Sequence, residues 1–214
     1  MANKDHSLDK KIVDSAMTEF MTYGYRGASI HRIAANAGVT TGAIYTRYES
    51  KDALFGSLVE DLFQDVITNI LPLSQAYADL SANSGAEAFL STYSEEMDAT
   101  FAALFRHYDQ CRLLLCKSEG SSAAQRLQKA LQIKAESTVA FMERVATHPL
   151  NTDAIHMLIL SHLNMYRDII EQGYEQERAE ACLKTLDHYL KPVWKAIFAD
   201  ATQDATSAGM LEAN

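Results

Sequence analysis

Apolar residues along the chain recur at helical spacing almost throughout, and no segment alternates apolar and polar positions for long. The pattern predicts an all-α protein of about nine helices and no strands. A first helix over 8–23 stops at Gly24. Ile30, Ile33, Ala34 and Ala37 then fall at i, i+3, i+4 and i+7, with Ser29 available as N-cap and Gly38 placed to close the helix in a left-handed conformation. Thr40 or Thr41 caps a short helix to about Arg47, with Ile44 and Tyr48 on its buried side. The next helix runs from Ser50 to about Leu71, and Pro72 together with residues 81–85 brackets a loop region. Residues 86–106 and 108–117 form two helices, and another follows the 118–122 turn to about Ala146. Thr152-Asp153 caps the next, which closes at Gly173, and the last covers 176–200, bent by Pro192. The expected domains are a three-helix head over 1–51, a helical body over 52–200 and a disordered tail over 201–214.

The ordered set Ala34, Gly38, Ile44 places a small residue where two helices cross and an aliphatic one beneath the second, the spacing of a helix-turn-helix. The other face of the second helix carries Thr41, Gly42, Ala43, Tyr45, Thr46 and Arg47. Small residues let a backbone approach a DNA groove. Thr and Ala methyls can meet thymine, Arg47 can reach guanine or phosphate, and the Tyr45 hydroxyl can hold a phosphate. Ser50-Lys51-Asp52 opens another helix, so free N–H groups and an ammonium coincide there. The alternative is an ordinary packing motif with these residues at its surface.

The stretch Thr-Thr-Gly-Ala-Ile-Tyr-Thr-Arg-Tyr-Glu-Ser-Lys-Asp-Ala-Leu at 40–54, after Ala-Ser-Ile-His-Arg-Ile-Ala-Ala-Asn-Ala-Gly-Val, resembles the N-terminal signature of TetR-family transcriptional regulators. Phe20 and Tyr23-Gly24-Tyr25 fit it too, and the resemblance covers about residues 8–62. Ser29 and Tyr48 stand where the family usually has Thr and Phe. The resemblance implies DNA contacts at His31, Thr40, Thr41, Gly42, Ala43, Tyr45, Thr46, Arg47 and Lys51, with an exposed, non-contacting His31 equally open.

The net charge of −9 would seem to repel DNA, yet residues 1–51 hold seven Lys or Arg against five acids, leaving +2 there and −11 on the remainder. A mildly basic head on an acidic body fits DNA binding at one end. The amino terminus has no signal-peptide-like apolar stretch and no segment reaches membrane-helix length, so a cytoplasmic protein is expected. Cys111, Cys116 and Cys182 are too few for a disulfide framework and read as buried small hydrophobes.

In the body, Phe89, Tyr93, Met97, Phe101 and Phe105 repeat at i+4 steps. Core packing explains this stripe. The sharper reading is a pocket for a flat, largely apolar effector at Tyr93, Met97, Phe101, Tyr108, His162 and Asn164, with Tyr93, Tyr108, His162 or Asn164 able to orient it. The resemblance supports an effector among the central helices. The last two helices carry more apolar surface than one side needs, which points to a homodimer through Ile155, Ile159, Tyr166, Leu186, Tyr189 and Trp194. The histidines are scattered, and no metal, phosphate-loop or other cofactor motif appears, so no catalysis and no cofactor are expected. The expectation is a dimeric repressor on a palindromic double-stranded operator, released by a small molecule and not membrane-bound. The alternative is a small-molecule-binding helical scaffold or carrier without DNA binding.

Overall fold

The computed structural model describes residues 6–80 and 85–202. Its helices are α1 (His6–Gly27), α2 (Ile30–Ala37), α3 (Thr41–Tyr45), α4 (Lys51–Asp65), α5 (Leu71–Asp79), α6 (Gly85–Arg106), α7 (Tyr108–Cys116), α8 (Ser122–Val145), α9 (Thr152–Glu171) and α10 (Gln176–Thr202), and no strand occurs among the described residues. A π-helical turn, Val66–Ile70, joins α4 to α5. The chain divides into two compact units, the first made of residues up to Gln64 with His107–Lys129, the second of Asp65–Arg106 with residues from Ala130 onward.

The first unit closes around Ile12, Ala16 and Phe20 of α1, Ile33 and Ala34 of α2, and Ile44 of α3. Leu54, Phe55 and Val59 of α4 are completely buried with them. Phe55 meets Phe20 edge-on at 5.0 Å between ring centres and Tyr25 at 5.3 Å, a favourable geometry for aromatic quadrupoles. Gly24, at φ 67° and ψ 171°, breaks α1 where the sequence places its end. The break turns the Tyr25 N–H onto the Lys117 carbonyl at 2.7 Å, which fastens the end of α7 to this unit. The unit therefore extends past residue 51 and recruits a segment distant in sequence.

The second unit packs an aromatic interior. Phe89 stacks nearly parallel on Phe141, 5.7 Å apart, and meets Trp194 at 5.3 Å. Ile155 and Ile159 of α9 close it from another side.

Three expectations change. The loop expected after Pro72 is helix α5, because proline in the first turn of a helix forfeits an N–H that has no partner there. Ser29 caps α2 by position only, its side chain making no capping hydrogen bond. The 201–214 tail begins with two helical residues, Ala201 and Thr202, and its remainder lies outside the described residues, as does the 81–84 part of the expected loop.

Candidate functional site

Helix α3 is a single turn held by its own polar side chains. The Thr40 hydroxyl accepts from the Ala43 N–H at 3.1 Å, closing the start, and the Thr46 hydroxyl donates to the Gly42 carbonyl at 2.8 Å, closing the end. Ile44 is fully buried and pins the turn to the core. Gly38, in the left-handed region at φ 69°, makes the corner, with Val39 N–H bonded back to Ala34 O at 2.9 Å. With one side anchored, Gly42, Tyr45 and Thr46 are exposed, Thr41 and Ala43 are half-buried, and Thr40 and His31 are exposed beside them. A Cβ on Gly42 would meet nothing closer than the Thr40 hydroxyl at 3.7 Å. The fold does not require glycine there.

Two expected contacts have work inside the fold. Arg47 is ion-paired with Asp9 of α1, and its guanidinium also donates to the Ala43 carbonyl at 3.2 Å. The Lys51 ammonium donates to the carbonyls of Tyr25 and Ala28 at 2.8 and 3.3 Å and lies over the Tyr25 ring. Each cation satisfies groups of the first unit that would otherwise be left open. They brace the element rather than stand free on its surface.

Sequence reasoning missed Glu19. It is buried on the α1 stripe beside Phe20, and its carboxylate accepts from the Ser29 N–H at 2.9 Å and from Arg32 Nε at 2.7 Å. Arg32 also donates to the Gly27 carbonyl and covers the Tyr23 ring. This clamp sets where α2 begins, and its signal was present in the chain: an acid three residues after Ala16 on an otherwise apolar face.

In the second unit Tyr93 and His162 meet, Tyr93 Oη lying 2.8 Å from His162 Nε2. His162 Nδ1 faces the Leu158 carbonyl at 2.9 Å and must donate to it, so Nε2 accepts from the phenol. Burial lowers the imidazole pKa, and it raises that of the Tyr93 hydroxyl, with Asp187 adding to the latter. Glu96, also buried, accepts from Ser74 and from Tyr77 and pairs with Lys134 at 2.6 Å. Met97 accepts from the Tyr166 hydroxyl at 3.4 Å, and Phe101 packs on Phe105. Of the expected pocket residues, Asn164 is exposed, because two residues past buried His162 is the opposite side of α9. Tyr108 belongs to the first unit. The void beside Tyr93, His162 and Trp194 is about 10 Å³, filled by the side chains around it.

The expected interface residues divide as well. Ile155, Ile159, Tyr166 and Trp194 are buried within the second unit at 2–6% exposure, so core packing accounts for them. Leu186 is half-buried and Tyr189 is 64% exposed. Met157 and Val193 are further exposed apolar residues of α9 and α10, and a cleft of about 630 Å³ with apolar walls, including Met165, Ile169 and Leu186, opens between these helices.

Residues 12–58, which contain the helix-turn-helix, match the family described as bacterial regulatory proteins, tetR family. The head carries the TetR-family signature. The HTH-type transcriptional repressor KstR2 of Rhodococcus jostii is 25% identical over 105 residues, 49% of this chain and 50% of that protein. The matched stretch thus spans half the length of that relative. Among solved structures, a TetR-like transcriptional regulator from Rhodococcus sp. RHA1 aligns with a TM-score of 0.56 at 17% identity, over 84% of this chain and 93% of that one. NalD of Pseudomonas aeruginosa, the secondary repressor of the MexAB-OprM multidrug efflux pump, aligns with a TM-score of 0.56 at 23% identity, over 92% and 96%. At these identities the structural likeness shows the fold alone, a TetR-like one across both units, while the family model matches only the head. No helix among the described residues is long and apolar enough to cross a membrane.

Proposed function

We propose that this chain is a dimeric, sequence-specific DNA-binding transcriptional regulator of the TetR family, a repressor released by a small molecule held in its second unit. The observation that carries the reading is α3: a turn anchored by fully buried Ile44, with Gly42, Tyr45 and Thr46 outward and a glycine that internal packing does not need. Thr41, Gly42 and Ala43 lie against base edges, Thr40, Tyr45 and Thr46 reach phosphates or bases, and His31 reaches a flanking phosphate. Arg47 and Lys51 hold the element in register and touch DNA only with what remains of their hydrogen-bonding capacity.

Two heads on one duplex face must reach successive major grooves about 34–36 Å apart. A partner copy is favoured by the exposed Tyr189, Val193 and Met157 and by the apolar cleft between α9 and α10. An effector acts through its differential affinity for the head spacing that fits DNA and for one that does not. The relatives' names as repressors support the direction of control.

The test is a mobility shift with duplex DNA taken from beside the chain's own gene. The wild-type chain retards it at moderate salt, and Tyr45→Ala weakens retardation by roughly tenfold, the worth of one good contact, with the sedimentation coefficient unchanged. Equal retardation by Tyr45→Ala and wild type, or none by wild type, overturns the reading.

A further inference from the structure

The turn that joins α8 to α9 is seated on the end of α10. Ala146 and Leu150, on either side of it, pack against the aromatic interior of the second unit, which includes Met142 and Val145 of α8, Ile155 of α9, and Phe198 and Ala201 of α10. Between these two anchors the turn is tied to α10 by hydrogen bonds. The Thr147 N–H donates to the Ala201 carbonyl at 2.7 Å, and the Thr147 hydroxyl donates to the same oxygen at 3.3 Å. His148 Nε2 lies 2.7 Å from the Asp200 carbonyl oxygen, and Nδ1 lies 3.0 Å from that of Pro149.

Two carbonyls facing one imidazole decide its charge. A carbonyl oxygen only accepts, and a neutral imidazole has a single N–H, so it serves one of the two and turns a lone pair toward the other. The imidazolium donates to both. It also stands near the carboxyl end of the described α10, where the backbone dipoles favour a positive charge. The ring pKa is accordingly raised from 6.5 by the Pro149 and Asp200 carbonyls and then by the Asp200 carboxylate, against desolvation. On the adjoining turns, Glu143 of α8 and Asp153 of α9 are exposed acids, and Arg144 of α8 donates to the carbonyls of Tyr77 and Leu80.

We propose that His148 is a pH-operated latch of the second unit: as imidazolium it binds the α8–α9 turn to the end of α10, and on losing a proton as pH rises it slackens and frees that corner of the interior. A group whose pKa is raised on folding contributes fully below its unfolded value, here 6.5, and loses that contribution as pH climbs through the folded one. His162, whose pKa is lowered, stays neutral over that range and cannot produce the effect. The inference rests on these hydrogen bonds and stands whether or not the chain binds DNA.

Two measurements on the full chain test it. Nitrogen-15 NMR of the histidine rings, with the His148 signals assigned by their loss in His148→Gln, shows both His148 nitrogens protonated at pH 6.5 and a titration midpoint above that value. Amide hydrogen exchange, corrected for the intrinsic rise of the rate with pH, shows protection of the Thr147 N–H falling by about threefold between about pH 6 and about pH 8, the scale of a cation lost from a helix carboxyl end. In His148→Gln, which offers a neutral donor at every pH, Thr147 protection is flat over the same interval. The Tyr174 N–H, bonded to Ile169 at the other end of α9, shows no such fall in either protein. A His148 midpoint at or below 6.5, a Thr147 fall as large in His148→Gln as in wild type, or an equal fall at Tyr174 overturns the proposal.

Discussion

One buried carboxylate, Glu19, holds the start of α2 against α1 through the Ser29 N–H and the Arg32 guanidinium. Glu19→Ala leaves a half-buried N–H and an arginine without their acceptor, and we expect a loss of about 1.5–3 kcal/mol in urea denaturation. His162 sets a pH limit. Burial lowers its pKa from 6.5; the Leu158 and Ile159 backbones and Glu96 oppose this, and Lys134 adds to it. The folded imidazole therefore stays neutral at a pH where the unfolded one binds a proton. Its contribution is intact above pH 6.5 and is lost as pH falls below it, with a slope up to about 1.4 kcal/mol per unit. His162→Gln, which can still accept from Tyr93, should flatten the denaturation midpoint between pH 7 and pH 5.5. Which residues carry exposed chemistry was legible only in part. Spacing puts Arg47 and Lys51 near a groove, but it cannot show that Asp9, 38 residues earlier, claims the guanidinium, or that two carbonyls claim the ammonium.

Helices were legible where a local residue dictates them. Gly24 and Gly38 mark breaks because their positive φ suits only glycine, and both stand where the sequence places them. Gly38→Ala meets no steric obstacle, since nothing lies within 4 Å of the added Cβ, so the backbone alone resists. We expect a cost of about 1–2 kcal/mol, read by thermal denaturation, without loss of the helical circular-dichroism signal. Pro72 misled because proline both ends and begins helices. The choice was made by the segment after it, whose Ser74 and Tyr77 reach across to Glu96. The aromatic stripe of α6 was visible, but not its charged member: Glu96, seven residues after Phe89, shares the buried face.

At the scale of the molecule, periodicity identified apolar surplus on α9 and α10 without telling which side faces the interior. Ile155, Ile159, Tyr166 and Trp194 proved internal, and Tyr189 and Val193 outward. If the outward set holds two copies together, Tyr189→Glu converts the chain to monomer in equilibrium sedimentation at micromolar concentration while its denaturation midpoint, taken on the monomer, shifts little. A dimer unaffected by that charge would place the interface elsewhere. The division into units was equally hidden, because residues 107–129 join the amino-terminal segment through pairings such as Tyr25 with Lys117 and Asp52 with Ser122.

Trp194 is the chain's sole tryptophan, and it lies inside the second unit against Phe89 and Tyr93. Its fluorescence is consequently a private signal of that unit, silent about the head, whereas ellipticity counts helices in both. Following one denaturant titration by the two optical signals asks whether the halves melt as one cooperative body: superimposed curves mean a single transition, and separated ones mean that the two units keep their own stabilities.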